Sequence, residues 1–421
     1  MNYRDLEQSE IRRLLGIEEA KLEEFKAKGL KLDMTRGKPC REQLDLSLPM
    51  LEKKYEYIHD GVDYRNYGLL EGIPEMKKLI SELFEVDEDE IIVWDNSSLN
   101  IMYDTMQRAM QFGVYGGSGP WNNGKVKFLC PVPGYDRHFA VSELFGMEMI
   151  NISMTPTGPD MDEVQKWVEN DPEVKGIWCV PKYSNPEGIT YSDETVRRFA
   201  ALKPASPDFR IFWDNAYFAH EVFDNNDKLL NLMEECKKTG NEDMVYIFGS
   251  TSKISFPGAG VAFVIMSKGN LAFNRKLIAV QTIGPDKINQ LSHASFFKDK
   301  QTLLAHMKKH EAILRPKFET ILATLDREFK ENGMVEYKTP RGGYFISIDV
   351  PDGCAKAVVA LCASAGLKLT EAGSTFPYHK DPRDRNLRLS PSFPSVDELK
   401  IASELLAVCI KICAYRQLLG I

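Results

Sequence analysis

The residues with the clearest chemical potential are a lysine and an aspartate that each follow a short apolar run. Lys253 closes the segment Ser-Thr-Ser-Lys after residues 245–248, and Asp214 follows residues 211–213. A lysine at a buried strand end either pairs with a carboxylate or loses its charge, because burying an unpaired cation is costly. A neutral amine in a cleft attacks carbonyl groups and can form a Schiff base. Taken alone, Lys253 is more simply explained as a surface loop lysine and Asp214 as a turn or cap residue.

Other polar residues follow apolar runs in the same way. Asn185 comes after residues 176–180, Tyr217 lies three positions after Asp214, and Ser97 and Ser98 stand where a helix is expected to begin. Free N–H groups at a helix start bind anions. An amine, a carboxylate, two hydrogen-bond donors and an anion site together match the needs of pyridoxal phosphate (PLP).

A repeating pattern of short apolar run, turn and helical stretch would position these side chains. Apolar runs bounded by Gly, Pro, Asn and Ser, alternating with helices, predict an α/β fold with a mostly parallel central sheet flanked by helices. Ligands bind such sheets beyond the carboxyl ends of the strands, where the polar residues above lie. The five runs are residues 91–94, 126–130, 176–180, 210–213 and 245–248.

The last hundred residues show a different pattern, which predicts a smaller α+β domain. We expect a long helix over 300–332, strands at 344–350 and around 387–389, and a final apolar helix over 396–419. The predicted division places residues 56–314 in a large cofactor-binding domain and residues 1–55 and 315–421 in the small domain. The site is then expected in the cleft between them.

Composition excludes several other classes of protein. The 421 residues are 43% hydrophobic and 27% charged, which is typical of a globular enzyme. A net charge of −8 argues against a nucleic-acid-binding surface. No apolar run approaches the ~18 residues of a membrane-spanning helix, so no membrane partner is expected.

Cysteine and histidine usage adds expectations about compartment and metals. The eight cysteines are scattered without a C-x-x-C pair, which predicts buried free thiols in a reducing compartment. The seven histidines show no ligand spacing, so no metal is expected. The first residues are charged and helical in pattern, unlike a signal peptide, and the expected location is the cytoplasm.

Four motifs in a fixed order support a family resemblance. They are Ser184-Asn185-Pro186-Glu187-Gly188, the segment Asp-Asn-Ala-Tyr from Asp214, the segment ending at Lys253, and Arg388-Leu389-Ser390-Pro391-Ser392. With them, the sequence resembles the fold-type-I PLP enzymes of the class I aminotransferase superfamily, and is most similar to a divergent group of bacterial aspartate aminotransferases. The resemblance extends over nearly the whole chain, from Thr35-Arg36-Gly37-Lys38-Pro39 to the arginine motif.

The resemblance implies roles for the residues around the cofactor ring. Lys253 would hold the cofactor covalently and later move the proton at the substrate Cα as a general acid–base. Asp214 would keep the pyridine nitrogen protonated, supported from behind by His138. Asn185 and Tyr217 would bind the phenolic oxygen of the ring, so Lys253, Asp214 and Tyr217 form the expected catalytic set.

The remaining cofactor contacts are implied in the same way. Tyr135 would stack on the ring face. Tyr67 resembles the tyrosine that reaches the phosphate of the neighbouring subunit, which implies a homodimer with shared active sites. The phosphate would be bound by four serines, namely Ser97, Ser98, Ser250 and Ser252.

Substrate binding is implied mainly by the arginine motif. Arg388 resembles the arginine that binds the substrate α-carboxylate bidentately. Gly37 would offer its backbone N–H to the same carboxylate, and Asn185 belongs to the same pocket. A dicarboxylic substrate needs a second cation, for which Arg137 is the first choice because it precedes His138; a role on the helix surface explains it equally well. Other basic residues near family motifs are Arg36, Lys38, Arg65 and Arg341.

One position departs from the family pattern. Members usually carry an arginine eight residues after the Schiff-base lysine, paired with the cofactor phosphate. Here that position is Val261. The phosphate charge must then be met by the helix terminus after Asn96, by hydroxyl groups or by another basic residue.

The expected activity is PLP-dependent transfer of an amino group from L-aspartate to 2-oxoglutarate by a ping-pong mechanism. Transamination of alanine or an aromatic amino acid, or a β-lyase reaction, requires the same ring contacts and stays open. A regulatory effector domain of this fold is disfavoured, because only about 33 residues precede Thr35 and a DNA-binding segment would need more. A dinucleotide-dependent dehydrogenase is rejected, since Gly116-Gly117-Ser118-Gly119 does not lie between a strand and a helix.

Overall fold

The computed structural model describes residues 2–224 and 227–421. In chain order, its helices are α1 (Gln8–Ala27), α2 (Arg41–Asp45), α3 (Leu48–Glu52), α4 (Pro74–Phe84), α5 (Ser98–Phe112), α6 (Asp136–Leu144), α7 (Met161–Asn170), α8 (Asp193–Ala200), α9 (Leu232–Thr239), α10 (Lys268–Gln281), α11 (Lys287–Phe297), α12 (Lys300–Phe329), α13 (Ala355–Ser364) and α14 (Val396–Leu419). Its strands are β1 (Leu32–Asp33), β2 (Ile58–His59), β3 (Val62–Asp63), β4 (Ile91–Asp95), β5 (Lys127–Val132), β6 (Glu148–Thr155), β7 (Gly158–Pro159), β8 (Val174–Cys179), β9 (Arg210–Asp214), β10 (Val245–Ser250), β11 (Ala262–Met266), β12 (Glu336–Tyr337), β13 (Ile346–Asp349), β14 (Leu367–Lys368) and β15 (Asn386–Leu389).

An eight-stranded sheet forms the centre of the molecule, in the order β4-β11-β10-β9-β8-β5-β6-β7. The strands from β10 to β6 in this order are parallel, whereas β11 runs antiparallel to both of its neighbours and β7 antiparallel to β6. Strands β4, β9 and β10 therefore end at the same edge of the sheet. The predicted α/β fold class with a mostly parallel sheet is confirmed.

The central strands consist of nearly continuous apolar residues because helices cover both faces of the sheet. All residues of β9, β10 and β11 are buried. The five predicted strands are present, and their observed bounds differ from the predicted ones by at most two residues. Strands β6 and β11 were not predicted.

A second, three-stranded antiparallel sheet lies nearer the C-terminus, in the order β12-β13-β15. The predicted helix over 396–419 is α14, and the predicted helix over 300–332 is α12, which ends at Phe329. The predicted strand over 344–350 is shortened to β13, because the residues before Ile346 form a turn through Gly342 and Gly343. Beyond this sheet, β1 pairs in parallel with β14 and links the N-terminal segment to the C-terminal part.

The buried apolar side chains fall into three clusters. One cluster combines residues of α1, the end of α12, α13 and α14, and the other two lie on the two faces of the large sheet. Helices α2 and α3 contact α12 and α11, respectively. The division into residues 56–314 and the two flanking segments stays a prediction.

All eight cysteines are buried and none forms a disulfide, as predicted. Among the described residues, no helix is both long enough and apolar enough to cross a membrane. The same residues contain no cluster of three or more His, Cys, Asp or Glu side chains placed to bind a metal ion.

Candidate active site

The predicted site residues converge because several strands end at one edge of the sheet. Asp214 is the last residue of β9, Ser250 is the last residue of β10, and Ser97 follows shortly after β4. Lys253 lies in the turn after β10. The parallel pairing of the strands therefore brings these residues, which are far apart in the sequence, to the same edge of the sheet, as expected for this class of sheet.

Among the described residues, only one of the two carboxylate oxygens of Asp214 has a hydrogen-bond partner. Its Oδ2 lies 3.0 Å from Nε2 of the buried His138. The His138 ring stacks on Trp178 with centroids 4.3 Å apart, and the indole N–H donates to Ser142 Oγ at 2.9 Å. The second oxygen, Oδ1, is buried without a hydrogen-bond partner among the described residues. A carboxylate with one open, buried oxygen is suited to accept a hydrogen bond from a protonated ring nitrogen.

Lys253 lies where its charged form is disfavoured. Burial lowers its pKa below the ordinary value, and the Asp214 carboxylate partly opposes this effect. Its Nζ lies 5.1 Å from the centroid of the Tyr217 ring. The backbone carbonyl of Lys253 accepts a long hydrogen bond of 3.4 Å from the Tyr344 hydroxyl. A lysine in this state has the nucleophilic character that a Schiff-base lysine requires.

Tyr217 and Tyr135 both lie within reach of the charges of Asp214 and Arg388. Burial raises the pKa of both tyrosines, so their hydroxyls are protonated donors at neutral pH. Tyr135 makes an edge contact with His138, with centroids 4.9 Å apart. The side-chain oxygen of Asn185 accepts a hydrogen bond from Nη1 of Arg388 at 3.3 Å, which brings the predicted cofactor-binding and substrate-binding residues into contact.

The predicted phosphate site is the start of α5. Ser97 caps this helix without a side-chain cap bond, and Ser98 is its first residue, so free N–H groups are available to an anion. Ser252 lies beside this turn, where its hydroxyl donates to the Asn96 carbonyl at 3.0 Å. A Cβ at Gly260 would lie 2.7 Å from that carbonyl and 2.9 Å from the Ser252 hydroxyl.

Val261 has a structural role at the position of the missing arginine. Its backbone N–H donates to the Thr251 hydroxyl at 2.9 Å, and its carbonyl accepts from the Thr251 N–H at 2.8 Å. The Val261 side chain is buried in one of the apolar clusters. The residue therefore fixes the turn before β11 and brings no charge to the anion site.

Arg388 lies on β15 and is almost fully buried. Its Nη1 donates to Asp136 Oδ1 at 2.7 Å, and the guanidinium lies 4.9 Å from the centroid of the Phe345 ring. Gly37 packs against the same ring, since a Cβ at this position would lie 2.5 Å from Phe345 Cζ. The two residues predicted to bind the α-carboxylate are therefore neighbours.

Other predicted residues lie outside this cluster. Arg137 is exposed on α6, and Tyr67 is 78% exposed. Arg65 pairs with Asp63 at 2.6 Å, and Arg341 with Asp227 at 2.7 Å. Arg36 is exposed, and the exposed Lys38 places its amine 3.8 Å from the centroid of the Phe393 ring.

Sequence reasoning missed two contacts of the site. Asp136 directly follows Tyr135, and an acidic neighbour of a proposed cofactor residue was a usable signal. Gln43 gave no signal, although it is buried and donates to the Tyr344 hydroxyl at 2.9 Å. Both residues act through partners that are more than 200 positions away in the sequence.

Comparison with known proteins agrees with this geometry. A family model described as aspartate amino-transferase matches residues 6–421. An aspartate aminotransferase of Corynebacterium glutamicum is 44% identical over 398 residues, which are 94% of this chain and 92% of the relative. The crystal structure of an aspartate transaminase from the same species superimposes with a TM-score of 0.97 at 41% identity, covering 99% of both chains. An α-aminoadipate aminotransferase from Thermus thermophilus, complexed with N-(5'-phosphopyridoxyl)-L-leucine, shares the fold with a TM-score of 0.72 at 18% identity, over 94% of this chain and 95% of that one.

The fold and the residues around Lys253 define a PLP-dependent aminotransferase. The open oxygen of Asp214, the Lys253 amine with its lowered pKa and the free start of α5 fit the ring nitrogen, the aldehyde and the phosphate of that cofactor. The chain belongs to the aspartate amino-transferase family, and the resemblance stated from its motifs is confirmed.

Proposed function

We propose that the protein transfers the amino group of L-aspartate to 2-oxoglutarate, giving oxaloacetate and L-glutamate by a ping-pong mechanism. The proposal is supported by the position of the carboxylate-binding Arg388 next to the residues that would surround the cofactor. Arg388, which can bind a carboxylate, contacts Asn185. The charges of Arg388 and Asp214 both act on Tyr217 and Tyr135, so Arg388 lies beside the residues around Asp214. An amino acid held by its carboxylate at Arg388 would therefore present its Cα to the lysine.

Asp214, His138, Tyr217 and Asn185 would hold the cofactor ring and adjust its charge. Bound PLP supplies a ring that accepts the electron pair released when the Cα–H bond of the substrate breaks. Asp214 holds the proton on the ring nitrogen, and His138 fixes the orientation of this carboxylate through the bond at Oδ2. Tyr217 and the Asn185 amide donate hydrogen bonds to the phenolic oxygen of the ring.

Lys253 performs the proton transfer. Burial lowers its pKa, which favours the neutral amine. This amine would take the proton from the substrate Cα and deliver it to C4′ of the cofactor. The amino group stays on the enzyme while oxaloacetate leaves, and 2-oxoglutarate then accepts it. Serines 97, 98, 250 and 252, together with the start of α5, bind the phosphate and keep the cofactor in place during both halves of the cycle.

Substrate choice rests on the second carboxylate. The name of the 44% identical relative supports aspartate. Arg137 is exposed on α6, one residue before His138, and we propose that its side chain binds the distal carboxylate. Gly37 donates its backbone N–H to the α-carboxylate beside Arg388.

We also propose that the active unit is a homodimer, acting in the cytoplasm, in which Tyr67 of each subunit binds the phosphate of the other. The support is the exposure of Tyr67, whose side chain lies outside the cluster of site residues in its own chain.

The test uses the purified holoenzyme and its cofactor absorbance. L-Aspartate should shift the absorbance band in the absence of an oxo acid, and added 2-oxoglutarate should restore it. Initial rates measured at several fixed concentrations of one substrate should give parallel double-reciprocal lines, as ping-pong kinetics require. Lys253→Ala should bind the cofactor without turnover. A band that shifts with L-alanine or an aromatic amino acid but not with L-aspartate would refute the substrate assignment.

A further inference from the structure

The arginine proposed to bind the substrate is already bound to a carboxylate of its own chain. Arg388 Nη1 lies 2.7 Å from Asp136 Oδ1 and 3.3 Å from Asn185 Oδ1. Both hydrogens of Nη1 are therefore engaged. The Arg388 side chain is only 7% exposed and that of Asp136 is 27% exposed, so the pair is largely shielded from water. Such a pair is stronger than an ion pair on the surface.

The position of Asp136 is fixed by the start of a helix. It is the first residue of α6, directly after Tyr135, and a carboxylate is favoured there by the helix dipole. The guanidinium is held from its other side by the Phe345 ring. The two charged groups are thus placed by separate elements, and neither needs a ligand to reach the other.

An incoming carboxylate cannot use both outer nitrogens of Arg388 while this arrangement persists. Bidentate binding needs two parallel N–H groups. Because those of Nη1 are taken, an anion must bind side-on through Nη2 and Nε, and Nε is buried without a hydrogen-bond partner among the described residues. Asp136 also repels a second anion, since two like charges about 4 Å apart cost ~1 kcal/mol in water and more in a shielded site. Asn185 is neutral and does not oppose the ligand in this way. Asp136 is therefore the group that opposes binding of a carboxylate to Arg388.

We propose that Asp136 competes with the substrate α-carboxylate for Arg388, and that this competition sets the affinity of Arg388 for carboxylate ligands. This inference rests on the proposed role of Arg388 and deepens it. Before binding, the carboxylate of Asp136 compensates the buried guanidinium charge. On binding, the ligand carboxylate takes the Nε and Nη2 side of the guanidinium, and the two carboxylates then compete for one positive charge.

A purely structural role for Asp136 predicts different behaviour. If it serves only the start of α6, its replacement lowers thermal stability and leaves carboxylate binding unchanged. Asp162 is a matched control, because it also lies in the first turn of a helix, α7, and pairs with an arginine, Arg198, at 2.5 Å. The side chain of Asp162 is 86% exposed, and its partner is remote from the proposed site.

The experiment is calorimetric titration of the holoenzyme with succinate and with butyrate, which lack an amino group and do not react. In Asp136→Asn, the dissociation constants of both should fall roughly ten-fold, because a charge-assisted bond is about twice as strong as a neutral one. Asp162→Asn should bind like the wild type. Asp136→Ser should lower the dissociation constants in the same way. Serine also suits a helix start, so this variant keeps the test valid if Asp136→Asn does not fold.

Kinetics give a second measure. Easier binding of the α-carboxylate should lower KM for L-aspartate by a similar factor. Unchanged or larger dissociation constants in both Asp136 variants would overturn the inference. A change for succinate alone would also overturn it, since Asp136 would then act on the distal carboxylate.

Arg388→Gln separates this inference from the proposed function. If this variant no longer binds succinate while the Asp136 variants bind like the wild type, Arg388 keeps its role and the competition is refuted. If Arg388→Gln binds succinate normally, the carboxylate site itself is wrongly placed, and both proposals fail together.

Discussion

At the scale of single residues, Lys253 keeps an amine in a place where its charged form is disfavoured. The ordinary pKa of lysine is about 10.4, and burial lowers the pKa of Lys253 in the folded chain. Between the lowered value and about 10.4, the unfolded chain binds more protons than the folded one. The free energy of unfolding therefore rises with pH across this window and is reduced as the pH falls through it.

We therefore predict that Lys253→Met stabilises the cofactor-free protein at pH 7. The stability difference between variant and wild type should shrink as the pH rises toward 10, because the unfolded wild-type lysine then loses its proton too. Urea denaturation of both proteins at several pH values measures this. A difference that is independent of pH would show that packing, rather than the charge of Lys253, causes it.

Residue types and spacing predicted that Asp214, Ser250 and Lys253 would meet at one edge of the sheet, because each lies at or just after a strand end. Their roles toward the cofactor stay predictions. The pairing of Arg388 with Asp136 could not be predicted in this way. The two residues are 252 positions apart, and their contact depends on how β15 approaches the start of α6. Asp136 alone looks like an ordinary acidic residue in a first helical turn.

At the scale of elements, the direction of β11 determines the shape of the proposed anion site at the start of α5. This strand runs against β4 and β10, so the turn before it returns to the edge where α5 begins. The sequence pattern did not reveal this, because a short apolar run has the same appearance in either direction. The small helix α2, which carries the buried Gln43, has five residues and no periodic signal.

Gly260 in this turn gives a prediction for cofactor binding. A methyl group there would meet the Asn96 carbonyl and the Ser252 hydroxyl at less than 3.0 Å, so the turn must shift. The backbone of Gly260 has φ −73°, which alanine adopts without strain. Gly260→Ala should therefore fold but bind PLP more weakly, by roughly ten-fold or more, equivalent to about 1.4 kcal/mol.

The control for this variant is Gly258→Ala, because a Cβ at Gly258 meets no atom within 4 Å. Equilibrium dialysis of PLP against both cofactor-free variants, with thermal melts, measures the outcome. Equal affinities for the two variants would mean that the phosphate does not lie at this turn.

At the scale of the whole molecule, apolar side chains are exposed around one pair of loops. Gly284 approaches the Gly68 carbonyl closely, which brings the loop carrying Tyr67 beside the loop carrying Ile283. Ile283 is 66% exposed, and Val280, at the end of α10, is 89% exposed. Exposed apolar groups that gather in one region are typical of a protein interface. In the proposed homodimer, this surface covers the partner and delivers Tyr67 to its phosphate site.

Val280→Asp should then dissociate the dimer, because it would bury an unpaired charge in the interface. Light scattering should give about twice 47.8 kDa for the wild type and a smaller weight-average mass for the variant. Leu144→Asp, at an exposed leucine on α6, is the control and should stay dimeric. PLP affinity should fall together with the mass of Val280→Asp, since each monomer loses the tyrosine of its partner. A monomeric variant that still binds PLP as tightly as the wild type would show that Tyr67 contributes nothing across the interface, even if the dimer itself is real.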